Sequence, residues 1–207
     1  MSDRDDDVRR PILRARILRV PIAKKIPAPF NQGDLDSLCG VYCVMNAVRF
    51  LFPELGREKS IGLFQVLSES LTTNRVTAHE TVGLGIEIPT VHALVEAACN
   101  YLREVLETSI IAATLTSKIR RFDDLWAALG EGLGDNQIAI IGLSGRHDHW
   151  TVAYRMTART IRLFDSDSMK VLQRARCSLR DPRVPYQIDP DEIILIRRGG
   201  VVDSRFL

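Results

Sequence analysis

Apolar residues follow two different rhythms along the chain. Up to about residue 132 they recur at three- and four-residue spacing, the mark of helices. After Gly134 they gather in short β-branched runs, the mark of strands. Residues 1–10 are charged and read as a frayed end. Residues 11–22 (PILRARILRVPI) alternate apolar side chains with arginine, which suits an edge strand or a surface arm. Residues 26–34 form a loop, with Pro27, Pro29 and Gly33 as punctuation.

The run CGVYCVMNAVRFLF is predicted as a helix, capped by Asp36 or Ser37 and stopped by Pro53. It is apolar nearly all round, so it should be buried and central. A second helix is expected over about 57–71, with Ile61, Phe64, Leu67, Ser68 and Leu71 on its inner face. Gly83 and Gly85 mark a loop within the mixed stretch 72–88, and Pro89 opens a third helix ending near 106. Residues 109–115 fit strand or helix, and a short helix is expected over 122–132, opening at Asp123-Asp124. Strands are then expected at 137–143, 149–156 and 160–165, with the last ones near 184–188 and 192–197. Helices first and an antiparallel meander second is the α+β pattern.

The chain has 207 residues, enough for one domain: 26–207 as the domain and 1–25 as its arm or edge strand. A chain of this length can bury roughly 70% of its unfolded surface, so it needs no disulfide or metal to fold. With 28 basic and 26 acidic residues, a polyanionic partner is not the default. No apolar run reaches the length of a membrane helix, and the acidic start is unlike a secretory signal. Four cysteines do not make a secreted disulfide scaffold. A cytoplasmic protein with reduced thiols is expected.

Three segments carry candidate chemistry. Cys39 falls where the central helix begins, and unpaired N–H groups there favour negative charge, which suits a nucleophilic thiolate. Gly40 beside it would leave room for a substrate backbone. Gln32, seven residues earlier, could donate to an oxyanion together with the Cys39 N–H. His149 opens a strand, a placement that suits a general base. Asp165, sixteen residues on, ends the neighbouring strand, where a hairpin would return it to the level of His149 to orient the imidazole. The plainer readings are a small buried hydrophobe for Cys39, a hydrogen-bonded structural residue for His149 and a turn former for Asp165.

Together, Gln32, Asp36-Ser37-Leu38-Cys39-Gly40, His149-Trp150 and Phe164-Asp165-Ser166 resemble the papain-like cysteine peptidase superfamily in their Cys–His–Asp order. The pattern is closest to the compact bacterial branch typified by the peptidase domains of bacteriocin-exporting transporters. It is also similar to Josephin-type deubiquitinases, which share the Asn-containing run echoed by Cys43-Val44-Met45-Asn46-Ala47 and the His-Trp strand start. The resemblance implies a papain-like fold with the Cys-bearing helix packed on a C-terminal antiparallel sheet. It implies Cys39 as nucleophile, His149 as base, Asp165 as orienting acid and Gln32 as oxyanion-hole glutamine. The Gln–Cys interval is slightly longer here than is usual in these families. The resemblance covers about 31–52 and 137–168, and the stretch 53–136 has no counterpart in it.

The implied activity is hydrolysis of a peptide or isopeptide bond through a thioester, without a cofactor, on a peptide, protein or ubiquitin-like substrate. Acyl transfer to an amine, as in transglutaminases and arylamine acetyltransferases, would use the same triad, and a degenerate peptidase fold could serve as a binding module. Among nearby residues, His147 reads as an exposed loop histidine, Asp148 as a possible holder of either histidine, and Asp167 as a turn residue. Cys43 reads as inert core, Cys99 and Cys177 as lying in an apolar and a polar helical pattern, and His79 and His92 as loop and helix surface. A zinc site from Cys39, Cys43, His147 and His149 is a further reading. Arg14/Arg16 and Arg174/Arg176 read as solvated faces, so no nucleic-acid partner is expected.

Overall fold

The first helix is set by an almost unbroken apolar run, and it becomes the hub of the fold. The computed structural model describes residues 26–33, 38–73, 86–115, 119–134 and 136–200. Helix α1 (Cys39–Leu51) buries ten of its thirteen residues, more than one face, because it is packed by helices on one side and a sheet on the other. Each Val or Leu so buried contributes about 1.5–3 kcal/mol. Leu38 stands at its N-cap and offers no side-chain cap. Asp36 and Ser37, the expected caps, lie outside the described residues, as do the arm over 1–25, His79, Gly83 and Gly85.

Helices α2 (Arg57–Thr73) and α3 (Ile88–Leu106) pack on each other and on α1. Pro89 occupies the first turn of α3, as its fixed φ and missing N–H favour. The inner face of α2 differs from expectation. Ser60, Leu63, Leu67 and Leu71 are buried, Phe64 is partly buried, and Ile61 is turned outward. Tyr101 of α3 explains the setting: its hydroxyl donates to the Lys59 carbonyl at 2.8 Å, and its ring edge sits on Gly62 with no space for a side chain there. That fixes the roll of α2 against α3.

The remainder is a sheet with one helix on its far side. Strand β1 (Ile110–Thr114) and helix α4 (Phe122–Gly132) precede β2 (Gln137–Gly145), β3 (His149–Met156), β4 (Thr160–Phe164) and β5 (Val171–Gln173). Short strands β6 (Cys177–Ser178) and β7 (Tyr186–Gln187) follow, then β8 (Ile193–Arg198). The sheet order is β1-β8-β2-β3-β4-β5, antiparallel at every step, with β7 pairing the end of β2 and β6 running parallel to β7. The stretch 109–115 is therefore a strand, and β5 and β6 are elements the pattern did not announce. Cys177, read as part of a polar helical pattern, instead opens β6 and is buried.

Alternation along the strands divides the core in two. Ile138, Ile140, Trp150, Val152, Phe164, Ile194 and Ile196 face α1–α3. Ala139, Ile141, Ala153, Ile161, Leu163 and Ile193 face α4 with Leu125, Trp126 and Leu129. The chain is thus an α+β protein whose N-terminal helices pack on a C-terminal antiparallel sheet. Among the described residues, no helix is long and apolar enough to cross a membrane.

Candidate active site

Cys39, His149 and Asp165 converge where the start of α1 meets the start of β3 and the end of β4. α1 packs across β3 and β4, and its first residue, Cys39, meets the His149 ring at the start of β3. The Val152–Phe164 pairing, continued one step, sets Thr151 opposite Asp165 and His149 diagonal to it. Diagonal partners on an antiparallel pair are within reach of long side chains. Here the reach is realised: His149 Nε2 and Asp165 Oδ2 are 2.7 Å apart, with side-chain exposures of 2% and 0%. A carboxylate only accepts, so Nε2 carries the hydrogen. That leaves Nδ1 for the Cys39 thiol, the other side-chain hydrogen-bond neighbour of the ring.

The electrostatics follow from burial opposed by pairing. Burial alone pulls the His149 pKa down. The hydrogen bonds and charges of Asp165 and Cys39 outweigh it and raise the group from 6.5 to about 9. Burial pushes Asp165 up, but the hydrogen bond and charge of His149 prevail and hold it below its ordinary 3.8, with help from Thr151 and the Met169 N–H. Cys43 is one helical turn beyond Cys39. Its burial, with the nearby charges of Cys39 and Asp165, raises its pKa well above 9.0, so it remains a neutral thiol.

The turn after β4 fixes the carboxylate. Asp165 Oδ1 accepts the N–H groups of Asp167 (2.9 Å) and Met169 (3.0 Å), and Ser168 takes a left-handed φ of 63° to close the turn. The neighbouring Ser166 tethers Gln32: its carbonyl accepts the Gln32 N–H at 3.1 Å, and its hydroxyl donates to Gln32 Oε1 at 3.2 Å. The carboxamide oxygen is thereby engaged and the NH₂ end remains as the donor. Gln32 is anchored to the Asp165 turn, an attachment the sequence did not indicate.

Further residues hold the site together. Asn46, fully buried in α1, accepts the Phe30 N–H at 2.7 Å and donates to the Phe30 carbonyl at 3.0 Å. It pins the loop that carries Gln32. A polar residue inside so apolar a helix was the signal for that role. Trp150 donates its indole N–H to the Ile86 carbonyl at 2.6 Å. The Ile86 side chain fills the space over Gly40, where an added Cβ would stand 3.3 Å from it. Gly40 therefore admits a neighbouring side chain of the protein itself, in place of the substrate backbone expected there.

The competing residues have other partners. Asp148 Oδ1 accepts the Gly145 N–H at 3.2 Å and shapes the turn into β3. Asp167 pairs with His147, not with His149. Cys99 donates to the Ile110 carbonyl at 3.4 Å. Cys177 is pushed up to about 11 by burial, slightly relieved by Arg176. Among the described residues, no group of three or more His, Cys, Asp or Glu is arranged to hold a metal ion. Compared with known proteins, the chain matches no family model and no curated relative.

Proposed function

We propose that the chain is a papain-like cysteine peptidase, a thiol hydrolase acting on the amide bond of a peptide or an isopeptide-linked protein. The observation that carries the reading is the buried His149–Asp165 pair at 2.7 Å, with the Cys39 thiol at the first turn of α1 as the ring's other partner. Nucleophile, base and orienting acid within hydrogen-bond reach form a recurrent device for acyl transfer.

In this reading the thiol proton passes to His149 Nδ1 and the Cys39 sulfur attacks the carbonyl carbon. Asp165 keeps the hydrogen on Nε2 and stabilises the imidazolium, consistent with the raised His149 pKa of about 9. The Cys39 N–H, in the helical turn that lacks intrahelical acceptors, and the Gln32 NH₂ meet the oxyanion. His149 then protonates the departing amine and a thioester remains. Water, deprotonated by His149, attacks the thioester, and the acid leaves as the thiol reforms.

The test is labelling with an electrophilic peptide probe directed at thiols. The native chain is expected to be labelled once, at Cys39, and Cys39→Ala not at all. Undiminished labelling of the folded Cys39→Ala chain at another cysteine would remove the assignment.

A further inference from the structure

A second histidine–carboxylate pair stands directly beside the first. His147 Nε2 lies 3.1 Å from Asp167 Oδ2, and the His147 and His149 rings face each other at 5.1 Å between centroids, tilted by 32°. The two pairs differ in surroundings. The side chains of His149 and Asp165 are sealed from water, whereas those of His147 and Asp167 are 42% and 49% exposed.

The pairs are also joined through the backbone. Asp165 gives one carboxylate oxygen to His149 and uses the other to hold the Asp167 N–H. The turn that aims the inner carboxylate therefore aims the outer one. Asp167 in turn holds His147, and His147 lies against the face of the His149 ring. The four residues form a closed circuit, with the Asp167 backbone N–H as one link: His149, Asp165, Asp167, His147 and back to His149. A surface histidine without a task would lose side-chain entropy by being held in this way.

We propose that His147, held by Asp167, is a positioning residue for His149: its ring lies on the solvent side of the imidazole and stops that ring from rotating away from Cys39 and Asp165. Two hydrogen bonds hold the ring at its nitrogens; a flat group packed beside it adds a steric stop to rotation about the Cβ–Cγ bond. The catalytic part of the claim rests on the peptidase reading above, while the geometric part concerns His149 alone.

The test uses the full chain. His147→Ala and His147→Gln are expected to lower kcat about 10- to 100-fold, with KM within about twofold of the native value, as for a misplaced reacting group. His147→Phe restores a flat ring without the Asp167 bond and is expected to recover part of the loss. The ring nitrogens of His149 are followed separately by NMR. Above the His149 pKa of about 9, they should report one neutral tautomer with Nε2 protonated in the native chain; in His147→Ala they should move toward an averaged pattern. A His149 spectrum unchanged by His147→Ala, or His147→Gln as active as the native chain, would overturn the proposal. If the spectrum changes as expected but no amide substrate is turned over by the native chain, the peptidase reading falls and the positioning of His149 stands.

Discussion

Asn46 clasps Phe30 through both of its backbone groups, across sixteen residues of chain, from inside the helix that begins with Cys39. One amide side chain thus ties the loop bearing Gln32 to the helix bearing Cys39. Asn46→Ala would strand two backbone groups at a buried site, and each such loss costs about 1–3 kcal/mol. The expected destabilisation is about 2–4 kcal/mol, read by urea unfolding. Asn46→Asp should lie close to the alanine variant, because it retains the acceptor for the Phe30 N–H but loses the donor and buries a charge. Native-like stability of both variants would contradict the clasp.

Asp165→Asn keeps an oxygen for the Asp167 and Met169 N–H groups yet removes the charge that faces His149. The expected outcome is a fall in kcat of about 10²- to 10⁴-fold, by loss of the useful tautomer, with the fold retained. Steady-state kinetics beside a near-native circular dichroism spectrum would check it. Activity within a factor of three of the native chain would dismiss Asp165 as the orienting acid.

The same pair makes stability depend on pH in a defined direction. His149 is raised from 6.5 to about 9, so its contribution is complete below 6.5 and disappears as pH climbs through about 9. Asp165 is lowered from 3.8, so its contribution is complete above that value and is lost on acidification through its lower folded value. Together they contribute most between pH 3.8 and 6.5. Thermal midpoints of the native chain and of Asp165→Asn, measured across pH 3 to about 10, should differ most in that window and converge toward alkaline pH. A difference that grows above pH 9 would contradict the sign.

Gln32→Ala is expected to reduce kcat about 10²- to 10³-fold if the carboxamide meets the oxyanion. Ser166→Ala, which only loosens its tether, should cost less, about tenfold or under. KM should be little changed in both, because the contact matters most once charge has developed on oxygen. A Gln32→Ala chain with native kcat would leave the Cys39 N–H without its expected companion.

Much of this arrangement was legible in the sequence, for reasons that can be named. The run from Cys39 to Leu51 is too apolar for any place but the interior, and Pro53 gives its end. The strand carrying Ile138–Leu143 and the hairpin from His149 to Phe164 are short β-branched runs separated by turn formers. Because the hairpin returns to its starting level, the pairing of His149 with Asp165 could be anticipated from chain length alone. The α2 face was misjudged because Leu67 and Leu71 belong to two adjacent stripes, and Tyr101, 42 residues beyond its partner Lys59, chooses between them. Strands β5 and β6, of three and two residues, owe their form to their partners more than to their own sequence. The pairing of His147 with Asp167 and the tether of Gln32 to Ser166 depend on one tight turn around Ser168, whose left-handed backbone no periodicity reveals.

The order of the strands also bears on when the sheet can be completed. Strand β8 lies between β1 and β2, although it is made after both. Among the described residues β1 pairs with β8, so the β1 edge of the sheet is joined to the rest only after residues 193–198 have been made. Until then that edge stays open, although α1, β3 and β4, which carry or adjoin Cys39, His149 and Asp165, have already been made.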